Sequence, residues 1–487
     1  MREFEQLPRG IGQNATESDK ASRITWTAPE GLHQTAKWAY DETRFLVGMD
    51  RQGNLIGLDD DRNNATVAGS RGGKGISVIL PNLARYAGSM VVLDPKGENA
   101  TLTAERRGLG RGVPAGGMGQ TIIALDPFMT ADIDPAYRAN FNPMDTLDPQ
   151  DEDTFVDDCD SIADALVVSD GKNSNDHWNS SARLVLRGTI AWVASAHSGP
   201  RDLGEVRRLL HLPLDKFDDL LADMIDHPKR AFGVPAEMAS ALLGMGSDEQ
   251  GSVLSTVRTN ILFLSSPPME KMLKSGGRQP DLKAWKFGGC TIYLCLPAGR
   301  LHRHARFFRL LLNRLLAAIE STPKKGKIPA IIMLDEMHVL GHMAQLETAA
   351  GFIAGYGVKI HSIWQDFTQA EGIYGKRWQT FLGNASLFQS FALNDMKTLQ
   401  YVSDRLGGSS VVSVTQSETT LGKAARGFSG ISQTTQMIPL LSPSEVAEEF
   451  SRQGMAQCVM YPGASPIWMR RVNYFSDQFK RYRSDPK

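Results

Sequence analysis

One stretch near the amino end restricts the fold more than any other. The short apolar run Ala65 to Ala68 meets Gly69-Ser70-Arg71-Gly72-Gly73-Lys74-Gly75, and an apolar pattern of helical spacing follows at Val78, Leu80 and Leu83. Strand, glycine turn and helix in that order let backbone N–H groups converge on an anion at a helix N-terminus, and Lys74 reaches phosphate oxygens. The loop departs from the GxxxxGK[ST] pattern twice: Ala68 stands at the first glycine, and Gly75 replaces the hydroxyl residue that usually ligates Mg²⁺. Ser77 is near, but an α-helical path turns it elsewhere. A glycine turn with one lysine is often only a turn, so the reading needs a second element.

Ile331-Ile-Met-Leu-Asp335-Glu336 supplies one. Every buried strand must end somewhere polar, so one terminal aspartate says little. Two acids after four apolar residues say more, since one can hold Mg²⁺ through water while the next orients an attacking water. Residues Gly69 to Gly75 with Ile76 are therefore the candidate nucleotide-binding loop, Lys74, Asp335 and Glu336 the candidate catalytic groups, and ATP with Mg²⁺ the expected ligands. Asp94-Pro-Lys-Gly-Glu98 also follows an apolar strand and reads equally as a ligand loop or a plain turn. Gln365 and Asp366 close the apolar run Val358 to Trp364, where an amide can contact a terminal phosphate or simply cap the strand.

A chain of 487 residues exceeds what one core usually serves, so two domains are expected. The apolar runs Ser89 to Asp94, Thr121 to Asp126, Thr291 to Leu296, Ile331 to Leu334, Val358 to Trp364 and Ser386 to Ala392 read as buried parallel strands. Thr43 to Met49 and Leu55 to Leu58 read as a hairpin, and Gln457 to Tyr461 as a last strand. Between Pro149 and about residue 284 the pattern is helical and broken by prolines. The expected division is a polar lead-in at 1–22, an α/β domain at 23–148 and 285–487, and an all-α domain inserted at 149–284. Ser409 to Met437, rich in Ser, Thr, Gln and Gly, reads as a hairpin or a mobile loop, and Ser442-Pro-Ser-Glu445 as a capping box.

These residues resemble the TraG/TraD-like type IV coupling proteins over about Leu46 to Phe475. The marks are Gly73-Lys74-Gly75 with Leu80-Pro-Asn-Leu83, Val92-Leu-Asp-Pro-Lys-Gly-Glu-Asn99, Leu125-Asp-Pro-Phe128, Trp178-Asn-Ser-Ser-Ala-Arg183 and Ser252-Val-Leu-Ser-Thr-Val-Arg258. Leu334-Asp-Glu-Met-His-Val-Leu-Gly341, Gly355-Tyr-Gly357, Gln365-Asp366, Leu393-Asn-Asp395 and Leu440-Leu-Ser-Pro443 continue them. The resemblance implies a RecA-like P-loop domain, a polar sensor at Gln365 and a homo-oligomeric, hexameric ring. It also implies a coupling ATPase that delivers a relaxase–DNA complex or effector proteins to a type IV secretion channel, with single- or double-stranded DNA as a further partner. Such relatives commonly carry two membrane-spanning helices ahead of the ATPase domain. Here no apolar run nears the roughly 20 residues that cross a bilayer, and no signal peptide opens the chain, so a cytoplasmic protein recruited peripherally to the inner membrane is expected. Hexameric relatives also tend to place an arginine shortly before the glutamine strand. Gly351 to Lys359 holds none, which leaves Lys359 or an arginine elsewhere as the substitute. A DNA translocase outside secretion, and an adaptor that binds nucleotide with little hydrolysis, remain as alternatives.

Charge and cysteine content exclude other classes. With 53 Lys+Arg against 54 Asp+Glu, DNA contact needs a local basic surface. Arg300, Arg303, Arg306, Arg309 and Arg314 accompany the stripe Leu301, Ala305, Phe308, Leu312, Leu315, and the pattern predicts that these charges face away from the core. The acidic run Asp148 to Asp160 suits a helix N-terminus, with docking of a basic partner as the other reading. Cys290 and Cys295 fall on opposite faces of one strand, so no zinc site is expected.

Overall fold

The computed structural model describes residues 25–168, 176–195, 199–416 and 431–484. The lead-in expected at 1–22 lies outside them, as does 417–430. The strands are β1 (Phe45–Met49), β2 (Leu55–Leu58), β3 (Asn63–Ala68), β4 (Met90–Asp94), β5 (Thr121–Leu125), β6 (Cys290–Cys295) and β7 (Ala330–Leu334). They continue with β8 (Val358–Trp364), β9 (Ala385–Phe391), β10 (Gly408–Gln416), β11 (Ile431–Pro439), β12 (Ala456–Met460) and β13 (Ile467–Arg470).

Eleven of these strands form one sheet in the order β2-β1-β13-β12-β9-β3-β8-β7-β4-β6-β5. From β9 to β5 every pairing is parallel, while β12, β13, β1 and β2 extend the sheet antiparallel. Every residue of β3, β4, β7, β8 and β9 is buried because helices cover both faces; β4 and β7 accordingly read as apolar runs, whereas β3, β8 and β9 also bury polar residues such as Asn64, His361 and Gln389. The expected hairpin is β1 and β2. One strand went unread: β13 follows Pro462-Gly-Ala-Ser-Pro466 and has only four residues, too few to show a period, yet it bridges β1 and β12.

Between β5 and β6 the described residues hold only helices, the longer ones at Phe155–Leu166, Asp176–Ala194, Leu214–Asp226 and Ser247–Asn260. The helical segment leaves and rejoins the sheet at neighbouring strands, because β5 and β6 pair directly. β10 and β11 pair antiparallel as a separate two-stranded ribbon. The Ser442 capping box is formed, its hydroxyl accepting from the Glu445 N–H and the Glu445 carboxylate from the Ser442 N–H. No helix among the described residues is long and apolar enough to cross a membrane.

The helix Leu301–Glu320 corrects the expected outward basic face. Arg300, His302 and Arg303 are exposed, but Arg309 and Arg314 are buried and Arg306 is half-buried. Arg309 donates to the carbonyls of Asp164, Ala165, Leu340 and His342 at 2.6–3.1 Å. Arg306 donates to Leu166 O and Asn260 Oδ1, and Arg314 to Thr146 Oγ1 and Asp158 Oδ1. A guanidinium's planar fork can satisfy several carbonyls at once, so these arginines tie the helical layer to the sheet instead of presenting a basic surface. Of the acidic run, Asp158 is thereby an internal ion-pair partner.

Candidate functional site

The parallel strands all end on one edge of the sheet, the edge where open α/β folds bind ligands. There β3 runs into the glycine turn, β4 ends on Asp94, β7 is followed by Asp335 and Glu336, and β8 by Gln365. Only β8 separates β7 from β3, and the Glu336 carboxylate comes within 3.6 Å of the Lys74 ammonium of the loop. Loop and strand ends enclose a cleft of about 510 Å³ lined by Ser70 to Ser77, Asp94 to Lys96, Glu98, Asn99, Asp335 and Glu336. A fourth wall comes from far along the chain: Arg452, Met455, Arg471 and Asn473.

Of the predicted loop residues, Ser70 to Ile76 line the cleft and Gly69 does not. Gly69 instead donates its N–H to Ala392 O at 3.1 Å, and a Cβ there would lie 2.5 Å from that oxygen, so only glycine permits this approach of loop to β9. Gly73 has φ +101°. Arg71, Glu336, Ala392 and Met455 also adopt positive φ without being glycine, so left-handed backbone collects around this one edge.

Lys74 is 8% exposed, and its ammonium makes no hydrogen bond; the nearest carboxylate oxygen, Glu336 Oε1, is 3.6 Å away. Glu336 Oε2 accepts from Gln365 Nε2 at 2.5 Å and faces His338 Nδ1 at 3.3 Å. Gln365 therefore acts on the cleft through Glu336, since it is not itself part of the lining. Burial pushes the Asp335 carboxyl up to about 6, with Lys74 pulling the other way and Glu336 adding to the rise. Burial likewise pushes Asp94 up to about 7, although its carboxylate accepts the Ala100 N–H at 2.8 Å.

Ser77 corrects the expectation that it points elsewhere. Gly75–Ile79 is a single π turn, with the Leu80 N–H donating to Gly75 O. The wider turn changes the direction of each side chain relative to an α-helix, and Ser77 lines the cleft. The loop that lost its hydroxyl at Gly75 thus has another two residues on. Lys359 is corrected too. It lies at the amino end of β8, 3% exposed, with its ammonium donating to Asp60 O, and burial lowers it to about 8. Its ammonium is buried and engaged at the edge of the sheet opposite the cleft, so Lys359 presents no free cation at the surface where a neighbouring subunit would meet it.

The donor set fits a magnesium nucleotide. Lys74 is a buried cation without a hydrogen-bond partner, and backbone N–H groups of a glycine loop surround it. The Asp335 carboxylate and Ser77 hydroxyl are the hard oxygen donors that Mg²⁺ takes alongside phosphates. No cluster of three or more His, Cys, Asp or Glu suited to a metal occurs among the described residues. The residues missed in sequence, Arg452, Met455, Arg471 and Asn473, belong to no motif, and no local signal marks them.

A family model described as "Type IV secretory system Conjugative DNA transfer" matches residues 34–486. Among curated proteins, a VirD4 of Rhizobium rhizogenes is 25% identical over 476 residues, covering 92% of this chain and 66% of the relative. A TraG of Escherichia coli is 26% identical over 481 residues, covering 91% and 72%. The chain thus spans about two thirds of the length of these relatives. Among solved structures, the plasmid coupling protein TrwB with the non-hydrolysable ATP analogue ADPNP superposes with TM-score 0.66 at 16% identity, covering 96% of this chain and 98% of that one. TrwB with ADP and Mg²⁺ superposes with TM-score 0.64 at 16% identity, covering 97% and 100%. The shared fold is the RecA-like P-loop α/β domain carrying an all-α domain.

Proposed function

The chain belongs to the type IV secretory system conjugative DNA transfer family, and from that premise we propose that it is a coupling ATPase. It receives a relaxase–DNA complex or effector proteins and couples ATP hydrolysis to their delivery into a secretion channel. The observation that carries this is the buried Lys74, without a hydrogen bond and 3.6 Å from the Glu336 carboxylate, beside two strand-end acids in one cleft. TrwB, which shares the fold, is seen with an ATP analogue and with ADP and Mg²⁺, in line with the same ligands here.

In this reading the N–H groups of Gly72 to Gly75 and Lys74 hold phosphate oxygens. Asp335, once ionised, and Ser77 hold Mg²⁺, which would neutralise charge on the phosphates. Glu336, oriented by Gln365, accepts the proton of the attacking water. We assign the sheet segments 23–148 and 285–487 to this chemistry and 149–284 to cargo. The subunits act as a homo-oligomeric ring at the inner membrane, held through protein partners and contacting DNA.

Measuring ATPase rate against protein concentration, with and without single-stranded DNA, tests this. Turnover that rises with concentration and with DNA is expected. A negligible rate under every condition would move the protein to a nucleotide-binding adaptor.

A further inference from the structure

Arg471 follows β13 and is buried to 1% exposure, yet it forms no ion pair among the described residues. Its guanidinium is held by carbonyls alone: Nη1 donates to Gly72 O at 2.9 Å, and Nη2 to Ser451 O at 3.1 Å and Arg452 O at 2.8 Å. Nε is buried without a partner. The guanidinium carbon lies 4.6 Å from the centre of the Phe391 ring. Burying a cation without a counter-charge is costly, and carbonyl dipoles offset only part of that cost. Burial, with Arg452 nearby, lowers Arg471 to about 10, still charged at neutral pH.

Two observations say what the charge is for. Arg471 lines the same cleft as Lys74, so the site holds two buried cations: Lys74 faces the Glu336 carboxylate at 3.6 Å, while Arg471 has no ion-pair partner among the described residues. Arg471 also grips the loop itself: fixing the Gly72 carbonyl fixes the plane of the Gly72–Gly73 peptide and hence the direction of the Gly73 N–H. The segment that supplies it is braced there, since Met455 is left-handed at φ 53° with its carbonyl accepting the Arg471 N–H, and Ile76 O accepts the Tyr474 N–H.

On the reading of the cleft as a nucleotide site, we infer that Arg471 is a positioning residue of that site. It presets the phosphate loop through Gly72 and adds a second buried positive charge for the polyphosphate, so the carboxyl-terminal segment completes a site whose loop and strand-end acids lie before residue 337. The charge acts within one subunit, unlike an arginine supplied by a neighbour.

The test is binding affinity for ATP, ADP and AMP, measured by calorimetry on the full chain as wild type, Arg471→Met and Arg471→Lys. For Arg471→Met we expect ATP affinity to fall about tenfold or more, ADP less and AMP least, because the lost charge counts by the phosphates it faces. Arg471→Lys, which keeps the charge but not the fork, should lie between, with the same ranking. Should Arg471→Met fail to fold by circular dichroism, Arg471→Lys carries the same comparison. Equal losses for the three nucleotides, or unchanged ATP affinity, would overturn the role and leave Arg471 a structural strap. Lys74→Ala separates the two levels: if it too leaves ATP affinity unchanged, the nucleotide reading fails and this role with it.

Discussion

Glu336 sits between Lys74 and Gln365 in a left-handed backbone conformation, and its carboxylate is about a quarter exposed to the cleft. Replacing it with Gln keeps the shape and the Gln365 contact while removing the proton acceptor. Glu336→Gln should therefore retain ATP in a filter-binding assay and lose turnover by about a hundredfold or more. Asp335 and Asp94 make a pH prediction. Burial raises both, to about 6 and about 7, so the folded protein holds these protons more tightly than the unfolded chain does. Their contribution to stability is fully present below the unfolded value of about 4 and is lost as pH rises through 6 and 7. Urea unfolding of the nucleotide-free protein should show that decline, and Asp94→Asn should flatten its upper part. Magnesium-dependent nucleotide affinity should move oppositely, strengthening from pH 5 to 7 as Asp335 ionises.

Among elements, the π turn Gly75–Ile79 matters most for chemistry. A π turn costs hydrogen-bond geometry and persists where it serves a site. Here it brings the Ser77 hydroxyl to the cleft after a loop whose own hydroxyl position is Gly75. Ser77→Ala should leave ATP binding without Mg²⁺ unchanged and raise several-fold the Mg²⁺ concentration needed for full thermal stabilisation by ATP. An unchanged Mg²⁺ requirement would return Ser77 to a packing role. The helix Leu301–Glu320 shows the opposite relation of pattern to use: its arginines are spent on carbonyl contacts between layers, so no DNA-facing basic stripe remains beyond the exposed Arg300 and Arg303.

For the whole molecule, the helical segment and the sheet are less separable than two domains joined at adjacent strands would be. Arg309 donates to Asp164 and Ala165 on the helical side and to Leu340 and His342 on the sheet side. Replacing 149–284 with a Gly/Ser linker removes two of those acceptors and the Asp158 partner of Arg314, leaving buried guanidinium groups short of partners. Such a chain should melt well below the intact protein, and adding Arg309→Leu should recover part of the loss, because an apolar side chain needs no acceptor. No recovery would mean that apolar packing, not the arginines, holds the layers together. Loss of cargo capture is therefore better sought by point changes on the exposed faces of 203–260 than by excision.

Local chemistry was legible in the sequence. A strand covered on both faces is mostly apolar and short, and a phosphate loop must be rich in glycine, so β4 to β7, the apolar parts of β3, β8 and β9, and Lys74, Asp335 and Glu336 announce themselves within a few residues each. Gln365 was legible as a strand end, though its contact with Glu336 was not. What tertiary structure alone decided are the features whose causes lie far along the chain. Arg471 reaches Gly72 across 399 positions because β13 inserts between β1 and β12. Arg309 and Arg314 of Leu301–Glu320 are buried because neighbouring segments supply acceptors, carbonyls for Arg309 and the Thr146 hydroxyl and Asp158 carboxylate for Arg314, on the face that a helical wheel assigns to water. The π turn at Ser77 has no distinctive composition. Periodicity reports which residues prefer an apolar neighbour, while the identity of that neighbour, and whether a charge can find enough acceptors to stay buried, follow only from the packed chain.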